Sequence, residues 1–267
     1  MYLKYASIAS GSSGNCIYIG TENTNILIDA GMSGKKIEEG LKQIDLEGSA
    51  IDAIFVTHEH LDHVDGVGVL SRRYDIPIYA TEGTWDNMPQ KVGNIKPLMQ
   101  NAVYAGEDCI FNDMLIRPFA IPHDAAQPVG YTIEVNSKKI AVATDMGHIS
   151  QSAIDSIKGA NLLLLESNHD VEMLKNGPYT YSLKQRILSN YGHLSNENAG
   201  KLLTQIIEDK DSKLDYIFLG HLSKDNNHPQ LAYDTVKSVL AQNDITVDKD
   251  VNMWVAPPYG VKRTMEL

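Results

Sequence analysis

Apolar residues in the first sixty positions fall into short runs separated by Gly, Ser or Asn, which predicts strands over residues 3–9, 16–19, 25–28 and 53–57. Apolar residues three or four apart predict helices over 35–44, 64–73, 197–208 and 228–241. Later strand-like runs cover 116–121, 129–135, 139–144, 161–166, 216–219 and 253–255. The strands-then-helix order occurs once before about residue 118 and again after it. An α/β chain follows, with two similar halves, roughly 1–118 and 119–267, packed sheet on sheet within one domain of 267 residues.

The ends of these runs carry the chemistry. His123, Asp145, Glu166 and His221 each stand at or just past the C-terminal end of a predicted strand. Open α/β sheets place ligands at that edge, so residues far apart in sequence can converge there.

Composition narrows the class. Hydrophobic residues at 43% and charged residues at 21% are ordinary for a globular enzyme and exclude a disordered or fibrous chain. Cys16 and Cys109 are too few for a disulfide framework, which fits a reducing, cytoplasmic setting. No apolar run approaches the roughly 18 residues of a membrane-spanning helix. The net charge of −11, with no dense Lys or Arg run, weighs against a nucleic-acid face. Bound metal would offset part of that charge, so the total says little about the field inside a cleft.

The run His58-Glu59-His60-Leu61-Asp62-His63 follows an apolar strand and packs three imidazoles and two carboxylates into six residues. Such groups are costly to desolvate at a strand end unless a cation compensates. Side chains at i and i+2 share a strand face, so His58 and His60 can meet one ion if the chain is extended there. Asp62 and His63 are adjacent, which requires a turn at Leu61 and lets them serve a neighbouring ion. Imidazole and carboxylate donors suit Zn, Mn or Fe, and the lack of a nearby Cys excludes a Cys-based structural zinc site. A helical zincin motif is also excluded, because Asp62 stands where its second His would be.

His58, His60, Asp62 and His63 make this chain resemble the metallo-β-lactamase-fold hydrolases, whose His-x-His-x-Asp-His signature they match in full. The later order of His123, Asp145 and Gly220-His221 matches as well, so the resemblance spans nearly the whole chain. More narrowly, Ser10 to Cys16, Asp29-Ala30-Gly31, Glu166-Ser167-Asn168-His169-Asp170 and Gly192 to Glu197 resemble the YycJ (WalJ) family of bacterial hydrolases. The resemblance implies an αββα sandwich of two mixed sheets with helices outside, and two divalent metal ions. His58, His60 and His123 would hold the first ion, and Asp62, His63 and His221 the second, with Asp145 bridging. It also implies a phosphodiester hydrolase, a DNA exonuclease acting from the 5′ end.

In the related ribonuclease Z pattern, a strand-end Glu and a later His before Ser handle the scissile phosphate, and Glu166 and His193 match those positions. Leu194 departs from the pattern by separating His193 from Ser195, and the long substrate-gripping arm has no counterpart here, which lowers tRNA processing as a reading. The catalytic set is then Asp62, accepting a hydrogen bond from the attacking water, His193 as proton donor and Glu166 behind it.

Other residues carry two readings each. Ser13 and Asn15, in the small-residue loop 10–15, either contact phosphate or simply make a tight turn. His169 and His148 could line the cleft, with His169 a substrate contact, whereas His228 beside Pro229 reads as a helix cap. A DNA substrate and no membrane are expected, and the oligomeric state stays open. The same metal set also serves cyclic phosphodiester and thioester hydrolysis. A wide cleft lined by Lys35, Lys36, Arg72, Arg73 or Lys184 would favour the nuclease, and a narrow pocket a small substrate.

Overall fold

The apolar runs form two seven-stranded sheets in the computed structural model, which describes residues 2–267. Strands β1 (Lys4–Ala9), β2 (Cys16–Gly20), β3 (Asn25–Ile28), β4 (Ala53–Phe55), β5 (Ile78–Ala80) and β6 (Gln100–Ala102) run in order across the first. The second holds β7 (Cys109–Phe111), β8 (Met114–Ala120), β9 (Val129–Val135), β10 (Lys138–Ala143), β11 (Leu162–Glu166), β12 (Tyr216–Gly220) and β13 (Asn252–Val255). The last strand, β14 (Thr264–Glu266), returns to pair antiparallel with β1, so the chain's end closes the sheet its beginning opened. Both sheets are mixed: β1 to β3 and β7 to β10 are antiparallel, and β3 to β6 and β10 to β13 are parallel.

Helices α1 (Gly34–Lys42), α2 (Leu61–Val64), α3 (Val67–Tyr74) and α4 (Glu82–Asp86) belong to the first part of the chain. The rest are α5 (Gln151–Ile157), α6 (Val171–Asn176), α7 (Tyr181–Ile187), α8 (Asn196–Ile207) and α9 (Pro229–Ala241). Strand β11, Leu-Leu-Leu-Leu-Glu, shows how the layers form. Leu162 and Leu164 enter the core between the sheets with Tyr5, Phe55 and Tyr131. Leu163 and Leu165 face outward onto Leu202, Leu203, Val236 and Leu240 of α8 and α9. Both faces are covered, so the strand reads as a continuous apolar run, and each buried leucine contributes roughly 1.5–3 kcal/mol. On the far side, Ile37, Leu41, Val67 and Leu70 of α1 and α3 cover Leu27 and Ile54.

The helix predicted over 64–73 is divided. Asp62 and His63 lie within α2, and Gly66 separates it from α3. The Gly66 N–H donates to Ala30 O at 2.8 Å, and a Cβ there would lie 2.3 Å from Met32 O, so the helix yields to a close backbone approach. His228 caps α9 by accepting from the Leu231 N–H at 3.2 Å. Among the described residues no helix is long and apolar enough to cross a membrane.

Candidate metal centre

Strands β3, β4, β8, β10, β11 and β12 end on one edge, and the residues that follow them meet there. Asp29 and His221 directly after their strands, and Asp145 one residue further on, take positive φ angles of 61°, 53° and 60°. That left-handed step costs about 1–2 kcal/mol for a residue with a Cβ and turns each strand end sharply. Strand β4 ends at Phe55 and the chain bends at Thr57 and Glu59, so His58 and His60 meet from a loop and not from an extended strand, and the chain coils from Leu61 after His60. Gly31 lets three loops interlock here. Its N–H donates to Asn15 O at 2.7 Å, and a Cβ would lie 1.6 Å from Asp62 O, a space no side chain can share.

Two groups result. His58, His60 and His123 converge, with His60 Nδ1 at 3.1 Å from His58 Nε2 and 3.3 Å from His123 Nε2. Asp62, His63 and His221 form the other, with Asp62 Oδ2 at 3.7 Å from His63 Nε2 and 3.6 Å from His221 Nε2. Asp145 stands between them, 3.3 Å from His63 Nε2 and 3.8 Å from His123 Nε2.

The hydrogen bonds behind these rings decide which nitrogen faces inward. His221 Nδ1 donates to Glu166 Oε1 at 2.8 Å, His63 Nδ1 to Asp29 Oδ2 at 2.7 Å and His123 Nδ1 to Gly192 O at 3.1 Å. Thr57 Oγ1 donates to Asp29 Oδ2 at 2.8 Å, so it accepts from His58 Nδ1 at 3.0 Å. In their neutral forms these four imidazoles keep the proton on Nδ1 and turn Nε2 inward as a lone pair, and on His63 and His221 the surrounding carboxylates hold a second proton at Nε2 that a bound cation would displace.

A cation fits this arrangement. The single Nδ1 proton His60 can carry would satisfy only one of the two lone pairs facing it. His221 Nε2 and Asp145 Oδ2 are buried with no hydrogen-bond partner, a cost of roughly 1–3 kcal/mol each unless a positive charge meets them. The groups therefore suit a divalent metal by chemistry as well as by proximity.

Electrostatics agree. Burial would depress His63, but the carboxylates of Asp145, Asp29 and Asp62 outweigh it and hold the ring up to about 9. Burial depresses His58 well below the usual range, and His63 and His123 add to the effect. A metal held by His63 would have to displace its proton, so uptake by the chelator-stripped protein at pH 7.5 is expected to release protons, and affinity is expected to rise as pH approaches about 9. The sign for stability is opposite. The raised His63 value stabilises the stripped protein fully below about 6.5 and is lost as pH rises through about 9. Calorimetry in two buffers of different ionisation enthalpy measures the released protons, and none released would refute the assignment.

His193 stands beside both groups, its ring centroid 5.1 Å from His123 and 5.3 Å from His221. Glu166 Oε1 accepts from His193 Nδ1 at 2.8 Å, and Oε2 from the N–H groups of Met146 and Leu194 at 2.8 and 3.0 Å. Burial works to raise Glu166, but His193 and His221 outweigh it and hold it well below the ordinary carboxylate range. Burial likewise works to lower His193, and the Glu166 charge raises it instead.

The remaining predicted contacts are placed differently. Ser12, not Ser13, lines the cleft. Asn15 is buried and braces the loops: its Oδ1 accepts from Gly11 N, and its Nδ2 lies 3.1 Å from His63 Nε2. His169 is buried behind the cleft wall, and its Nδ1 has no partner. His148 faces Asn190 O at 2.8 Å, outside the cleft. None of Lys35, Lys36, Arg72, Arg73 and Lys184 lines the cleft; Arg72 is held by Val92 O and Asn94 O, and Arg73 pairs with Glu38. Arg186 lines it instead. Sequence reasoning missed Arg186, and it missed the function of Asp29 and Thr57, although an acid directly after a buried strand run is a usable signal.

Residues 24–214 match a family described as the β-lactamase superfamily domain. The chain is 44% identical over 248 residues to the exodeoxyribonuclease YycJ of Bacillus anthracis, covering 92% of each chain. It is 40% identical over 257 residues to the exodeoxyribonuclease WalJ of Streptococcus pneumoniae serotype 2, covering 96% of this chain and 94% of that one. In fold it superposes along its full length on the metallo-β-lactamase fold protein YhfI from Bacillus subtilis, with a TM-score of 0.72 at 16% identity and 100% coverage of both chains.

Proposed function

The chain belongs to the β-lactamase superfamily, in the group that includes YycJ and WalJ, and from that premise we propose that it is a dinuclear-metal phosphodiester hydrolase that removes nucleotides from DNA at the 5′ end. The observation that carries this reading is a metal-ready cluster with an acid-competent His193 beside both of its halves. In the proposal His58, His60 and His123 hold one ion, Asp62, His63 and His221 the other, and Asp145 serves both. The ions, when bound, supply positive charge to a phosphoryl oxygen and acidify water.

The side chains do the rest. Asp62 lines the cleft; burial works to raise its carboxyl, but His63 and His221 keep it ionised, able to accept a hydrogen bond from the attacking water. His193 donates through Nδ1 to Glu166, which leaves Nε2 to give a proton to the leaving oxygen. Glu166 also holds His221 by the same oxygen, so one carboxylate orients both the proton donor and a metal ligand.

His193→Ala is expected to lower kcat by about 10²- to 10⁴-fold while metal content stays full. Loss of metal in that variant would make His193 structural. A second reading, hydrolysis of a small cyclic phosphodiester, draws support from a cleft of only about 210 Å³. Metal-reconstituted protein given end-labelled DNA, RNA, a small cyclic phosphodiester and a thioester separates the two. Nucleotide release from the 5′ end is the expected result, and activity confined to a thioester would overturn the phosphodiester reading.

A further inference from the structure

His193 has to keep Nδ1 on Glu166 and Nε2 free for the leaving oxygen, yet it lies in the connection between α7 and α8 with 23% of its side chain exposed. Backbone bonds seat that connection against the end of β11. The Leu194 N–H donates to Glu166 Oε2 at 3.0 Å, the Asn168 N–H to Leu194 O at 2.9 Å and the Asn196 N–H to His169 O at 2.9 Å. Residues 194–196 therefore run beside residues 166–169, which fixes the His193 backbone relative to Glu166.

A buried cluster of amides joins this seam to the loop before α9. Asn196 and Asn227 form a reciprocal pair, Asn196 Nδ2 donating to Asn227 Oδ1 at 3.1 Å and Asn227 Nδ2 to Asn196 Oδ1 at 2.9 Å. Asn227 Nδ2 is also within donating distance of Ser167 O and Asn168 O, at 2.9 and 3.0 Å, and Ser167 Oγ donates to Asn196 Oδ1 at 2.6 Å. Asn196, Asn227 and Ser167 are buried, and none of them lines the cleft. Apolar side chains of the same shape could replace such a pair at little cost in stability. A fully bonded polar network instead fixes one arrangement of the segments it joins. Here those segments carry His193 and Glu166.

Resting on the proton-donor role given to His193 above, we propose that Asn227, acting through Asn196, is a positioning residue for hydrolysis that locks the His193 turn onto the end of β11. In the step it serves, a water oxygen bonds to phosphorus as the bond to the leaving sugar oxygen breaks. That oxygen takes the proton from His193 Nε2, and the proton lost by the water restores the imidazole. His221 has an anchor of its own, its N–H donating to Ser10 Oγ at 2.9 Å, so loosening the clamp should disturb proton transfer without releasing metal.

The test gives the metal-loaded protein two DNA strands of one sequence, one natural and one with sulfur in place of the leaving oxygen of the terminal link. A sugar oxygen needs a proton to depart, and a thiolate does not. Asn227→Ala and Asn227→Asp are each expected to lower kcat on the natural strand by about 10- to 100-fold, with KM, metal content and turnover of the sulfur strand retained. Aspartate can still accept from the His228 N–H, as Asn227 Oδ1 does at 3.0 Å, but has no N–H for Ser167 O and Asn168 O. Wild-type turnover in Asn227→Asp would therefore reduce Asn227 to a support for the start of α9 and overturn the proposal. Equal losses on both strands, or loss of metal along with activity, would mark general loosening and overturn it as well. Ser167→Ala removes one bond of the cluster and a single heavy atom, and is expected to show the same split at a smaller loss even if the Asn227 variants fail to fold. His193→Ala is the reference and is expected to spare the sulfur strand. A split in His193→Ala with none in the Asn227 and Ser167 variants would overturn this inference alone. Equal losses on both strands in His193→Ala, or a wild-type protein that does not digest DNA, would overturn the reading it rests on and this inference with it.

Discussion

Asp145→Ala is expected to cost most of the bound metal and to remove hydrolysis almost entirely. Its carboxylate lies within 3.3 to 3.8 Å of His63, His221 and His123, members of both histidine groups, and it is 2% exposed. No neighbouring oxygen can take its place, because Asp62 reaches only the second group and Glu166 is already engaged by two imidazoles. The loss should therefore exceed the roughly 10- to 100-fold typical of residues that only support a ligand. Metal analysis after desalting, with turnover at saturating metal, tests this. Two equivalents of tightly held metal in the variant would show that Asp145 is not a shared ligand.

Asp29→Asn is expected to have nearly as large an effect without touching the cleft. Asp29 accepts from the Thr57 N–H and hydroxyl, each at 2.8 Å, and from His63 Nδ1 at 2.7 Å. An amide of the same shape can still accept from the backbone, but its NH2 then faces the hydroxyl and the imidazole N–H, donor against donor. His63 escapes by moving its proton to Nε2, which destroys the lone pair aimed at the centre, and His58 loses the chain through Thr57 that holds its own tautomer. Metal affinity should fall by about 100-fold, and stability by about 1–3 kcal/mol for each donor left buried and unpaired. Asp29→Asn with native metal affinity and native melting temperature would contradict this. Asp29→Glu is not a rescue, since the residue is 2% exposed and has no room for another methylene.

Much of this centre was legible along the chain. The six residues from His58 to His63 announce a cation by composition alone, and His123, Asp145 and His221 announce a shared edge by standing after apolar runs. The loop that turns at Leu61 followed from the adjacency of Asp62 and His63, and α2 begins there. Other features were hidden. Helix α7 is one of the short helices whose periodicity is too weak to stand out, yet it supplies the cleft wall with Arg186. Strands β5, β6 and β7 have three residues each, too few for an alternating pattern to register.

By itself the sequence determined the strand and helix pattern, the kind of donors at the centre and their position at strand ends, because these depend on local periodicity and side-chain chemistry. Only the tertiary structure decided which nitrogen of each histidine faces inward, through Asp29, Thr57, Gly192 and Glu166. It also decided which cation reaches the cleft, Arg186 and not Arg72 or Arg73. Those outcomes turn on hydrogen bonds and approaches between segments up to 69 residues apart, and no local pattern records where a partner of that kind will stand.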